Sequence, residues 1–191
     1  MKTYMKPLLW GILYLYTFFY LFIYLAFICI IAIAHSSYSI VSVLAVSIPF
    51  IILLLFRWVM FKLALSDEQE IYRKKLKSIT IVSAALFTIC IIQLGVNEYQ
   101  SKFHQETWFK NDGKRVYMID DLLAKHKLIG TSKEEVITLL GTPTEIRQSE
   151  TVHQMIYYLG TERGFIPIDS ECLILYLDHN DKIVDYRIET D

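Results

Sequence analysis

From Leu8 to Ala34 the chain carries no charged side chain, and LLWGILYLYTFFYLFIYLAFICIIAIA is aliphatic or aromatic on every helical face. A helix needs ~20 apolar residues to cross the hydrocarbon core of a bilayer, and this run is longer. A helix of that length in a water-soluble core keeps one polar stripe, and here there is none. Lipid offers no partner to a backbone amide, so the run must be helical. Two further apolar runs follow, Ile40 to Phe56 and Ile79 to Val96, the second with Gln93 as its most polar member. The expectation is three transmembrane helices, over about 8–34, 40–62 and 78–96. The composition agrees: 54% of residues are hydrophobic and the mean hydropathy is +0.37, more apolar than an ordinary soluble domain.

The net charge of −1 hides a split. Residues 1–96 carry eight Lys/Arg and three Asp/Glu, and residues 97–191 carry eleven and seventeen. A basic, apolar first half and an acidic, polar second half belong in different solvents. An acidic second half also argues against a nucleic-acid partner. Lys and Arg set the orientation. Lys2 and Lys6 precede the first span, the loop His35–Ser39 has no cation, and the loop 57–77 holds Arg57, Lys62, Arg73, Lys74, Lys75 and Lys77. The positive-inside rule then places the N-terminus and loop 57–77 in the cytoplasm and residues 97–191 outside, in the cell membrane as a multi-pass protein. Trp10 and Trp58 fall near the cytoplasmic ends of their spans, at headgroup level. Lys2, Lys6 and Ala32-Ile33-Ala34 have the outline of a cleavable signal, but the apolar stretch far exceeds the roughly 7–15 residues of a signal core. No cysteine follows that site, so a lipid-attachment box is not expected.

Within the spans no ionisable group lies between Leu8 and Phe56 except His35, and none between Ile79 and Val96, which disfavours transport or proton relay. Tyr16, Tyr20 and Tyr24 recur every four residues and form one stripe. Their hydroxyls are expected to bond Ser42 and Ser47, or Ser83 and Thr88, of neighbouring spans. Pro49 should kink the second span. Loop residues 66–77 read as a helix leading into the third span, with Ser66 as cap and Gln69 three residues on. The Arg73–Lys77 cluster reads as a topology anchor at anionic headgroups.

Past the spans, residues 97–114 read as a polar stalk with a turn at Asn111-Asp-Gly113, and 115–191 as the extracytoplasmic domain. Val116, Ile119, Leu122 and Leu123 lie at helical spacing, which predicts a helix over Tyr117–His126. Thr131-Ser132-Lys133-Glu134-Glu135 is a capping signature before Val136, Leu139 and Leu140, and Gly141 and Pro143 stop that second helix. Strands are expected at Val152–Leu159, Cys172–Leu177 and Lys182–Glu189, the last two joined by a turn at His179-Asn180-Asp181. The fold class is a three-helix transmembrane region followed by a small α+β domain, two helices on a three- or four-stranded antiparallel sheet.

Three stretches carry a resemblance: Leu128-Ile-Gly-Thr-Ser-Lys-Glu-Glu-Val-Ile-Thr-Leu-Leu-Gly-Thr-Pro143, Tyr157-Tyr-Leu-Gly160, and Leu173-Ile-Leu-Tyr-Leu-Asp-His-Asn-Asp-Lys-Ile-Val184. Their pattern of Gly-x-x-x-x-Glu-Val-x-x-Leu-Leu-Gly-x-Pro, a Tyr-rich strand and a final hairpin resembles the BamE / SmpA-OmlA group, whose fold is shared with the β-lactamase inhibitor protein. The resemblance covers the domain 115–191 and none of the spans. It implies a non-catalytic protein-binding module at the cell envelope. The group has a lipid-anchored cysteine where this chain has three spans, so a role in outer-membrane assembly is not carried over.

No catalytic, cofactor or metal site is expected. His104, His126, His153 and His179 form no HExxH or His/Cys pair with metal spacing. Asp178, His179 and Asp181 are explained by a hairpin turn. Asp120 and Asp121 read as helix-start carboxylates, and Ser132 as a cap. Cys29 and Cys90 sit in spans, and Cys172 has no partner for an intramolecular disulfide. The expected partner is an envelope protein or peptide, with membrane lipid around the spans. The candidate contact residues are Tyr157, Cys172, Ile174 and Tyr176 on one sheet face, with Arg163 and Phe165 in the loop Gly160–Ile168. An acidic rim around that face would suit a basic partner. Rival readings are a membrane enzyme acting on lipid or wall precursors near His35 and Asn97–His104, and a structural subunit of a larger membrane complex.

Overall fold

A computed structural model describes residues 2–63, 70–148, 153–164 and 168–190. The chain divides into two units, Met1–Asn97 and Glu98–Asp191, and each is described by itself.

The first unit contains three helices, α1 (Lys2–Ile33), α2 (Ile40–Leu63) and α3 (Glu70–Gln100). All three are long and apolar enough to cross a bilayer, at mean hydropathies of 2.4, 2.5 and 2.3 over their candidate spans. The chain is therefore a multi-pass membrane protein. The expected cap at Ser66 and Gln69 lies outside the described residues.

The spans pack through large residues. Leu13, Tyr20, Tyr24 and Ile31 of α1, Val46 and Leu53 of α2, and Cys90 and Leu94 of α3 are buried. The Phe50 and Phe87 rings stack with centroids 4.7 Å apart. The tyrosine stripe does reach its neighbours, but its partners are backbone carbonyls. Tyr16 donates to Pro49 O at 2.6 Å, Tyr20 to Ser83 O at 2.8 Å and Tyr24 to Val46 O at 2.5 Å. The expected hydroxyl pairing fails for a local reason at Thr88, which bonds the carbonyl of Ala84 on its own helix, as threonines in helices commonly do. Ser42 likewise serves α2 itself. Ser39 Oγ accepts from Ser42 N at 3.0 Å and Ser42 Oγ from Ser39 N at 2.8 Å, a reciprocal cap on the helix start. At the other end of the α1–α2 connection the Asn97 amide donates to Ile31 O and Ser36 O at 3.0 and 2.9 Å.

The second unit is two layers. Its sheet is an antiparallel meander, β1 (Glu145–Gln148), β2 (His153–Thr161), β3 (Ser170–Leu177) and β4 (Ile183–Thr190), in the order β1-β2-β3-β4. Helices α4 (Gln105–Lys110), α5 (Arg115–Lys125) and α6 (Lys133–Leu140) accompany it. The core joins Trp108, Val116, Ile119, Leu122, Val136 and Leu140 of the helices to Met155, Tyr157, Leu159, Leu173 and Leu175 of the sheet. The expected α+β domain is thus present, with four strands.

Ser132 caps α6 as its spacing predicts. Its Oγ accepts from Glu135 N at 3.3 Å, and Ser132 N donates to Glu135 Oε2 at 2.8 Å. Gly141 follows at φ 81°, a left-handed conformation that suits glycine. At Gly160 (φ 133°) a Cβ would sit 2.7 Å from the Gly113 carbonyl. The close approach accompanies the register shift between Tyr158 and Gly160 in the β2–β3 ladder.

The stalk is a correction. Residues 98–114 belong to the second unit. Trp108 is fully buried and donates Nε1–H to Leu140 O at 3.0 Å. Arg115 lies over the Trp108 ring, donates to Trp108 O at 2.9 Å and pairs with Asp112 at 2.7 Å. One tryptophan in a polar stretch carries enough apolar area to fold the stretch back onto the core. Asp120 and Asp121 are also corrected. With α5 starting at Arg115 they lie in mid-helix and make tertiary contacts, described below.

Trp108→Ala should therefore destabilise the water-soluble unit by ~3–5 kcal/mol. Pulse proteolysis of the intact chain in detergent checks this. An unchanged unfolding midpoint would return residues 98–114 to the status of a stalk.

Candidate binding face of the sheet

Side chains on a strand alternate between the two faces, so the cross-strand register sorts the candidate residues. Tyr157 pairs with Leu173 and Met155 with Leu175, and these point into the core. Tyr158 pairs with Cys172, Ile156 with Ile174 and Gln154 with Tyr176, and these form the opposite face. Glu145 and Arg147 extend that face on β1, and Asp185, Arg187 and Glu189 extend it on β4.

Tyr157 is therefore not on the candidate face. It is fully buried and donates its hydroxyl to Gly141 O at 3.0 Å, which ties β2 to the end of α6. Burial raises its pKa. Its neighbour Tyr158 takes the expected place, because adjacent residues on a strand face opposite ways.

Cys172, Ile174 and Tyr176 share the outer face, as their alternation implies. Ile156 and Ile174 on this face are 6% and 7% exposed. The face carries an open hollow of about 270 Å³ whose lining includes Ile156, Ile174, Tyr158, Cys172, Thr144 and Glu189. The rim is polar. Arg147 forms a two-point ion pair with Glu145 at 2.7 and 3.1 Å, which holds Glu145 below the usual carboxylate range. Arg187 lies 5.6 Å from the Tyr176 ring centroid and 3.9 Å from Asp185. An apolar floor within a rim of mixed charge can take an apolar side chain and register the polar groups beside it.

Arg163 does not join this face. It pairs with Asp120 at 2.7 Å and with the buried Glu171 at 3.2 Å. Burial alone would lower its pKa, but the two carboxylates outweigh it and hold the guanidinium more firmly charged. Glu162 N donates to Asp169 O at 2.8 Å and closes the base of the same loop. Arg163 is thus a loop fastener. Phe165 lies outside the described residues.

The histidines are dispersed. His104 Nδ1 lies 2.8 Å from Lys102 O, His126 packs edge-on to Phe103, and the rings of His153 and His179 meet at 6.0 Å. Among the described residues no group of three His, Cys, Asp or Glu is placed to hold a metal. Asp178 Oδ1 accepts from Asn180 N at 2.8 Å and Lys182 N at 2.9 Å, and Asp181 adopts φ 54°. These residues build the β3–β4 turn. Asp121 accepts from Phe103 N and from Lys125, both at 2.7 Å.

Asp178 and Asp121 give the unit a definite acid response. Hydrogen bonds from the Lys182 and Asn180 amides lower the Asp178 pKa. At Asp121 burial opposes ionisation, but Lys125, the Phe103 amide and Lys102 together lower the pKa. A depressed folded pKa gives stability that is present above the unfolded value of about 3.9 and lost as pH falls through the folded value. The unfolding midpoint should stay level from neutral pH to about 5 and fall below about 4. Asp121→Asn with Asp178→Asn should flatten that fall, as read by pulse proteolysis across pH. An unaltered slope would show that other groups carry it.

No protein-family model, curated protein or solved structure matches the chain.

Proposed function

We propose that this multi-pass membrane protein displays a non-catalytic module that binds another envelope protein or an extended peptide on the outer face of its sheet. The observation that carries the reading is the hollow floored by Ile156 and Ile174. Tyr158 and Tyr176 beside it are side chains that commonly anchor interfaces. Glu189 and the net −6 of residues 97–191 favour a partner with basic character.

The orientation in this reading follows from the cations. Six Lys/Arg lie between residues 57 and 77 and none between 35 and 39, which supports a cytoplasmic loop 57–77 and a water-soluble unit on the far side of the cell membrane. The BamE-like pattern in residues 128–184 supports an accessory or regulatory role rather than an enzymatic one.

The test is site-specific photo-crosslinking in living cells, with the photoreactive residue at Ile174 or Tyr176 and, as control, at Glu134 on the helical side. The proposal expects one discrete adduct from the sheet-face positions, no adduct from position 134, and loss of the Tyr176 adduct when Ile174→Asp is added. A chain cut back to its three spans that still supplied the full cellular function would overturn the reading, as would equal adducts from both faces.

A further inference from the structure

We propose that the paired ends of α2 and α3 bind the phosphate of an anionic glycerophospholipid between Arg57, Arg73 and Lys77. The inference concerns the membrane unit and does not depend on what the water-soluble unit binds.

The geometry is fixed by two contacts. Phe50 stacks on Phe87 near mid-span, and the Arg73 guanidinium lies over the Phe61 ring at 5.8 Å near the end. Later residues of α2 thus meet earlier residues of α3, so the two helices run antiparallel. Phe56 and Met60 pack with Tyr72, Leu76 and Ile79 in one cluster at this end. Arg57 lies one turn before Phe61 on the same side of α2, and Lys77 one turn after Arg73 on the same side of α3. By helical spacing Arg57 and Lys77 each lie one turn deeper than the Phe61–Arg73 contact. The Phe61 ring under Arg73 is itself exposed.

Among the described residues none of the three has a carboxylate partner. Glu70, within one turn of Arg73 on α3, pairs with Lys74 at 2.9 Å. Arg57, Arg73 and Lys77 are all exposed. Like charges this close repel, and more strongly near hydrocarbon than in water. An anion between them converts that repulsion to attraction.

A phospholipid diester suits the place better than a soluble anion. Arg57 lies inside the apolar span Ile40–Lys62, so the cations sit at the depth of headgroups. Guanidinium groups match the paired non-bridging oxygens of a phosphate. Trp58 and Phe61, 57% and 58% exposed, offer apolar surface beside the site for glycerol and upper acyl carbons. Lys62 lies 4.1 Å from the Trp58 ring centroid and is engaged there. A zwitterionic lipid brings its own cation and gains less from three more.

The full chain, reconstituted in nanodiscs of phosphatidylcholine with a minor fraction of phosphatidylglycerol, is examined by native mass spectrometry for retained lipid. Each cation near an anionic surface is a factor of about five in lipid affinity. Retained phosphatidylglycerol should exceed its bulk share by roughly tenfold or more. Arg57→Gln with Arg73→Gln and Lys77→Gln should return it to the bulk ratio. Lys62→Gln with Lys74→Gln and Lys75→Gln removes the same charge and should leave the enrichment in place. Equal loss in both triple variants would show diffuse charge rather than a site and overturn the proposal. Displacement of the lipid by soluble glycerol phosphate would also overturn it, in favour of a water-borne anion. Helical circular dichroism shows that each variant is folded, and Arg57→Lys with Arg73→Lys should retain part of the enrichment.

Discussion

A peptide group in hydrocarbon can satisfy its N–H and C=O only within its own segment, and everything else in this chain is arranged around that constraint. It makes the first half helical. It also decides how the helices recognise each other, because lipid is as apolar as leucine and removes the hydrophobic drive between spans. What remains is close packing and a few polar contacts. Tyr16, Tyr20 and Tyr24 supply both, since each ring fills an inter-helix gap and each hydroxyl uses the spare lone pair of a carbonyl already in its own helix. A carbonyl acceptor is available on every turn of the neighbouring helix, whereas a serine or threonine hydroxyl is commonly engaged on its own helix, as Thr80 and Thr88 are.

The second unit is built on a different device. Its sheet is covered on one side by helices and open on the other. The covered side is closed by Leu173, Leu175, Tyr157 and Trp108, and the open side keeps Ile156 and Ile174 low within a polar rim. Ion pairs hold the edges of the layout in place. Arg115 fastens α4 to α5, and Arg163 fastens the loop after β2 to α5 and β3. These arginines are spent on structure.

Patterns local in sequence were legible before the structure. Three uncharged runs, the Ser132–Glu135 cap, the Gly141 stop and the turn at Asp178–Asp181 each depend on residues within a few positions of one another. What was not legible depends on register or on distant contacts. Tyr157 and Tyr158 are equally aromatic, and only the pairing of Tyr157 with Leu173 tells which one is buried. Trp108 stands among polar residues, and its place in the core depends on the Leu140 carbonyl far along the chain. Asp120 and Asp121 look like helix-start carboxylates until α5 is seen to begin at Arg115. Arg163 looks like a loop contact residue until Glu171 is found buried beneath it.

We propose that the loop 57–77 and the unit after Asn97 face opposite sides of one membrane. Two single-cysteine variants test it directly, Lys75→Cys and Lys110→Cys, each in a background with Cys29, Cys90 and Cys172 replaced by serine. Both positions are exposed. With a membrane-impermeant maleimide on intact cells, position 110 should label at once and position 75 only after the membrane is opened. Labelling of position 75 in intact cells, or of both positions under the same condition, would contradict the account.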